Sequence, residues 1–264
     1  MLPAPPVDFV FQDPAIVESS GLVVDGDLFV TVNDSGDRGR VFTVDGSGAT
    51  VGVTSWSPAP VDVEALAPAG PGEVWVGDIG DNTASRASVS VLRVPTGPGD
   101  RTVTPPSYAL VYPDGAHDAE TLLAAPDGRL YIVTKDLAGG TVYAAPQQLS
   151  SDHPNRLEPV AAALPFATDG AFLPDGRHVV VRGYGSAAVS TYPGFREVAQ
   201  LPLPAQRQGE AIAVGEDGWV HVSSEGEHTP VLRAVAVSVW GWLDDAVGFV
   251  DRALRLLLGH GSAP

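Results

Sequence analysis

The sequence contains no cysteine. Disulfides, thiolate metal ligands and cysteine nucleophiles are therefore excluded, while the compartment stays open. Lysine is nearly absent as well: Lys135 is the single one, and the other basic residues are arginines. Lys+Arg total 15 against 32 Asp+Glu, a formal net charge of −17. Such a field repels phosphate backbones, so nucleic acid is not an expected partner. It suits cations, or anionic ligands bridged by a cation, and some of it simply keeps solvated faces soluble. No run of 18 or more apolar residues occurs, so no transmembrane segment is expected. No charged stretch followed by an apolar one opens the sequence as a signal peptide would. A secreted or cell-envelope location is expected only if a leader preceded Met1 and was removed. Gly-x-Ser-x-Gly elbows, Walker A loops and paired zinc-type histidines are missing too.

What is present is repetition. Hydrophobic residues make up 44%, and Gly 30 and Pro 24 punctuate short apolar runs at regular intervals. Val30-Thr-Val-Asn-Asp-Ser-Gly-Asp37 matches Val74-Trp-Val-Gly-Asp-Ile-Gly-Asp81 at an offset of 44 residues. Ser20-Gly-Leu-Val-Val24 and Glu64-Ala-Leu-Ala-Pro68 share that offset. Three further copies begin at Glu120, Asp169 and Glu210, each passing through an Asp-Gly turn into a second strand. Asp-Gly supplies the positive φ angles of tight hairpins.

In every copy a polar residue follows the first by 13–15 positions: Asp34, Asp78, Lys135, Arg182 and Glu225. Third strands are expected at 40–44, 88–94, 141–145, 188–192 and 231–235, and outer strands at 50–54, 108–112, 157–161 and 197–201. Four strands repeated in this way make the blade of a β-propeller. The expected fold is all-β, with five blades favoured over six, in a domain spanning residues 1–235. The fifth copy lacks an outer strand, and Val7–Phe11 can supply it, closing the ring and removing two sheet edges. Residues 236–264 form a separate extension. Leu243, Ala246, Val247, Val250, Ala253, Leu254 and Leu257 share one face of an expected amphipathic helix that stops at Gly259. That helix is expected to pack on the propeller, with weak self-association or a membrane surface as alternatives.

Inner strands line a propeller's channel, and the loops at one end form a funnel over it. The alignment brings Glu64, Glu120, Asp169 and Glu210 to the starts of inner strands, with Glu18 near the matching place. Acidic residues at hairpin ends also cap turns. As a group on the channel side they would repel one another unless something positive joins them. Ca²⁺, which takes oxygen ligands in flexible geometry, is the natural filler. Glu64, Glu120, Asp169, Glu210 and Asp34 are the candidate metal ligands. Lys135 and Arg182 can meet an anion or pair with these acids. With Asp78 and with His117, which directly precedes Asp118 and Glu120, they make up the candidate catalytic set.

Glu18-Ser-Ser-Gly-Leu, Asn33-Asp-Ser-Gly-Asp, Asp78-Ile-Gly-Asp-Asn, His117-Asp-Ala-Glu, Pro174-Asp-Gly-Arg and Gln208-Gly-Glu-Ala resemble bacterial, mostly actinobacterial, propeller proteins. These are similar to the "esterase-like activity of phytase" and SMP-30/NHL-type propellers, many of them six-bladed. The resemblance spans Glu18 to Glu225. It implies calcium in an acidic channel and hydrolysis of ester or phosphoester bonds. The leading expectation is thus a Ca²⁺-dependent hydrolase of an ester, lactone or phosphoester. The alternative is a non-catalytic propeller whose funnel binds a small molecule, peptide or glycan around structural calcium. Glycoside hydrolysis by paired carboxylates is a third reading.

Overall fold

A computed structural model of the chain describes residues 6–34 and 36–236; twenty-two strands and no helix occur among them. β1 (Val7–Val10) precedes the first blade, which contains β2 (Ser19–Asp25), β3 (Leu28–Asn33), β4 (Arg40–Asp45) and β5 (Thr50–Trp56). The second blade takes β6 (Val63–Gly70), β7 (Glu73–Asp78) and β8 (Val89–Pro95). β9 (Arg101–Val103) then turns back to the outer edge of the first blade, and β10 (Ser107–Val111) completes the second. The third blade comprises β11 (Ala119–Ala124), β12 (Leu130–Thr134) and β13 (Thr141–Ala144). After them β14 (Asn155–Arg156) joins the edge of the second blade, and β15 (Glu158–Ala162) completes the third. β16 (Asp169–Phe172), β17 (His178–Arg182), β18 (Ser186–Thr191) and β19 (Arg196–Pro202) form the fourth. β20 (Gly209–Val214), β21 (Trp219–Ser224) and β22 (Pro230–Ala236) form the fifth with β1 as its outer strand.

The inner strands β2, β6, β11, β16 and β20 pack against one another around the ring, β20 returning to β2. The fold is therefore a five-bladed β-propeller. Alternating apolar residues place the core between blades, as where Val30, Val32 and Val41 of the first meet Leu66, Val74 and Val76 of the second. Each tight turn between first and second strands has its glycine at positive φ, including Gly26 (61°), Gly128 (84°), Gly176 (64°) and Gly218 (83°).

Closure by the N-terminal strand is observed: Val7 pairs with Leu232, Phe9 with Val231 and Val10 with Pro230, antiparallel. A bulge between Val7 and Phe9 lets Asp8 reach past β22, so that it meets His221 Nδ1 on β21 at 2.5 Å as well as Arg233. Phe9 and Phe11 are buried among Phe29, Phe42 and Val231. The two parallel edge additions, β9 on β5 and β14 on β10, were not anticipated from the repeat. The expected helix at 243–258 and the boundary at 236 fall at or beyond the end of the described residues.

Candidate active site at the acidic mouth

Four of the five inner strands begin with a break in their pairing register. The β2–β3 register shifts between Ser19 and Gly21, the β6–β7 register between Val63 and Ala65, and the β11–β12 register between Ala119 and Thr121. The extra residues are Ser20, Glu64 and Glu120. In the fifth blade the shift lies between Gly209 and Ile212 and takes in Glu210. Bulges re-aim the side chain they carry, and here they occur in four blades at the residue that begins the repeat. The fourth blade has no bulge: Asp169 pairs directly with Arg182, and Gly170 with Val181.

Hydroxyls of one blade hold the bulge of a neighbour. Ser20 Oγ donates to the Glu64 carbonyl at 3.0 Å and lies 3.3 Å from Glu64 Oε2. Thr168 Oγ1 donates to the Glu210 carbonyl at 2.9 Å.

Asp34, Asp62 and Glu64 converge: each offers a carboxylate oxygen, and the three lie within 4.8 Å of one another. Asp78 fixes the loop that carries Asp62, accepting from the backbone N–H of Val61 at 3.1 Å and of Asp62 at 2.9 Å. Arg86 clips the same turn, with Nη2 2.9 Å from Asp78 Oδ1 and Nη1 donating to the Gly80 carbonyl at 2.7 Å. Gly80 leaves the room: a Cβ there would lie 2.5 Å from the Asp62 carboxyl carbon and 2.8 Å from Glu64 Cγ. Asp62 Oδ1 is buried without a hydrogen-bond partner. Burial pushes the Glu64 carboxyl up to about 11, helped by the charges of Asp34, Glu120 and Asp62. Burial also raises Asp62, with Asp34 and Asp118 adding to it. An all-oxygen cluster with an orphaned acceptor and a glycine-made cradle fits a hard cation.

Lys135 belongs to the same electrostatic group. Its Nζ donates to Glu120 Oε1, and it stands 5.5 Å from the centre of the Tyr184 ring. Burial works to lower Lys135, but the Glu120 carboxylate outweighs it and holds the ammonium above its ordinary range. Glu120 is itself raised by burial to about 8, with Lys135 opposing. Burial raises Glu210 too, against Lys135 and Arg182. Glu225, bridged through its backbone to Glu18, is raised by burial and by the charges of Glu210, Asp34 and Glu18 to about 7.

Two of the remaining sequence candidates, Asp169 and Arg182, hold backbone. Asp169 is fully buried and accepts from the Ile212 N–H at 2.8 Å, next to the Glu210 bulge. Arg182 is also fully buried; Nη1 donates to the Ala211 carbonyl at 2.9 Å and Nε to that of Gly183 at 3.2 Å. A Cβ on Gly209 would meet Arg182 Nη2 at 2.2 Å. His117 makes its contacts in an outlying cluster, 3.2 Å from Asp114 and 3.1 Å from the Tyr143 hydroxyl. The structure thus brings together Asp34 and Glu64, and pairs Glu120 with Lys135. It adds Asp62 and Tyr184, which the repeat alignment did not single out. Asp62-Val-Glu64 and Asp118-Ala-Glu120 share a carboxylate two residues before the bulge, a spacing that could have flagged Asp62.

No protein-family model matches the sequence, and no curated protein matches it. Solved structures do. A gluconolactonase from Xanthomonas campestris is 14% identical with a TM-score of 0.50, each chain covered over 89% of its length. A candidate 6-phosphogluconolactonase from Bacteroides uniformis is also 14% identical, TM-score 0.42, over 89% of this chain and 69% of that one. A protein of unknown function from Bacteroides caccae is 9% identical, TM-score 0.49, over 78% and 70%. At 14% identity, what the chain shares with the Xanthomonas enzyme is its fold.

Proposed function

We propose that the chain is a calcium-dependent hydrolase of a lactone, or of another ester or phosphoester, working at the acidic mouth. The observation that carries this reading is the convergence of Asp34, Asp62 and Glu64 within 4.8 Å, in a channel that also holds the Lys135–Glu120 pair. The all-oxygen donor set favours Ca²⁺, which when bound would polarise a carbonyl or a water molecule. Lys135, kept charged by Glu120, is suited to stabilise the oxyanion formed when water adds to the carbonyl. The ring C–O bond then breaks and a hydroxy acid leaves. Glu225, raised to about 7, can take the proton of the attacking water and return it to the leaving oxygen. The lactone is put first because the Xanthomonas propeller is a gluconolactonase.

One observation favours a second reading. Lys135 is already engaged by Glu120 and by Tyr184, as it would be in a non-catalytic module that binds its ligand around structural calcium. Calorimetric Ca²⁺ titration with an assay of lactones, aryl esters and phosphate esters separates the two. Hydrolysis of one class, reduced at least about a hundredfold in Lys135→Ala at unchanged Tm, supports the hydrolase. Calcium binding with no hydrolysis supports the binding module, and no calcium binding removes both.

A further inference from the structure

The acidic mouth has an apolar shoulder. Seven large hydrophobic side chains are exposed among the described residues, and four of them, Val61, Leu137, Phe166 and Tyr184, lie on loops at the mouth. Val61 and Phe166 belong to loops that enter inner strands, Leu137 and Tyr184 to loops that leave second strands, which is the end where the carboxylates converge. Three of the four come from adjoining loops. The Phe166 and Tyr184 rings are 6.3 Å apart, and the Phe166 N–H donates at 3.1 Å to the carbonyl of Asp136, the neighbour of Leu137. Leu137 is 76% exposed, Phe166 40% and Tyr184 43%.

This patch is built rather than incidental. Phe166 holds φ at +52°, a strained conformation for a bulky residue and one that collects at ligand clamps. Gly183 permits the approach of the two loops, since a Cβ there would lie 3.1 Å from the Phe166 carbonyl oxygen. Tyr184 joins the shoulder to the polar centre, its ring tilted against Phe166 and 5.5 Å from Lys135 Nζ. Water wets such a cluster poorly, and an occupant with matching apolar surface gains by covering it. A sugar lactone offers only small C–H faces between its hydroxyls, whereas an alkyl or aryl group offers continuous apolar surface.

We propose that the ligand of this mouth carries an apolar body, an alkyl chain or aromatic ring, which lies on Leu137, Phe166 and Tyr184 while its ester or lactone group faces Lys135. The substrate class is therefore an alkyl- or aryl-substituted lactone or ester. This rests on the hydrolase reading for the reacting group, whereas the apolar platform stands without it.

The test has a catalytic and a binding arm. In the first, kcat/KM is measured for δ-valerolactone and δ-dodecalactone with calcium, in the wild type and in Leu137→Ser/Phe166→Asn. Asparagine tolerates the positive φ while removing the ring. The expected result is a wild-type preference for the long chain of about tenfold or more, falling to about twofold in the variant, with the short lactone little changed. In the second arm, the neutral fluorophore N-phenyl-1-naphthylamine is titrated into both proteins. Binding should weaken at least about fivefold in the variant. Should the double variant misfold, Leu137→Ser alone carries both arms, because this side chain is 76% exposed. Patch-dependent probe binding without hydrolysis upholds the apolar platform and removes the hydrolase. Hydrolysis that ignores chain length, with probe binding that ignores the variant, keeps the hydrolase and overturns the platform.

Discussion

At the scale of single residues, the mouth is a set of carboxyls held where ionisation is costly. Glu64 has a pKa near 11, so in the metal-free protein at neutral pH it carries a proton. Glu64→Gln imitates that neutral form. We expect its Tm in EDTA to stay within about two degrees of the wild type, while the calcium-induced rise in Tm disappears. A large loss of stability in EDTA would mean that Glu64 is ionised in the native state. Asp78 acts at one remove, through the backbone of Val61 and Asp62 and through Arg86. Asp78→Ala should weaken calcium binding by about tenfold or more in calorimetry, and Asp78→Asn, which can still accept a backbone hydrogen bond, should recover part of it. Sequence alone aligns Asp78 with Asp34 in the repeat and places it in the candidate catalytic set. It could not show which of the two turns inward, since that depends on the loop at 61–62.

At the scale of elements, the strands were legible because each blade writes its alternation plainly, and four of the five add an Asp-Gly turn. Edges of Thr50–Trp56, Ser107–Val111 and Arg196–Pro202 fall within two residues of expectation. β9 and β14 were not legible: they have three and two residues, pair in parallel and lie in Pro-containing insertions where alternation has no length to appear. Nor were the bulges, which leave no mark in composition and yet decide that Glu64 and Glu120 are re-aimed. The closing strand makes the sharpest test at this scale. Removing residues 1–12 takes away β1, the Asp8 contact with His221 and two buried phenylalanines. Each buried phenylalanine contributes about 3–5 kcal/mol. Thermal unfolding should shift down by more than ten degrees or lose its single transition; an unchanged melting curve would show that β1 contributes nothing to closure.

For the whole molecule, the raised carboxyls set a pH dependence of definite sign. Glu64 at about 11 and Glu225 at about 7 both lie above the 4.5 of a free glutamate. The folded chain therefore binds more protons than the unfolded one between pH 4.5 and those values, and stability falls as pH rises through that window. The net charge of −17 acts in the same direction through self-repulsion. In EDTA, Tm should be higher at pH 5.5 than at pH 8.5. Calcium should stabilise more at pH 8.5, because its ligands must shed protons to bind. A metal-free Tm that climbs between these two pH values would contradict the assignment of buried, proton-bearing acids.

The pairing of β1 with β22 also has a consequence for how the molecule is made. Asp8 and His221, which close the ring, are 213 residues apart in the chain. During synthesis β1 emerges more than two hundred residues before its partner, so at about 5–20 residues per second it waits ten seconds or more with an open edge. Four blades can collapse in sequence as they leave the ribosome, but the circle cannot be joined until the fifth is complete. A circular permutant that carries residues 6–12 after β22 would make the two strands neighbours in time, and it should refold faster from denaturant than the natural order.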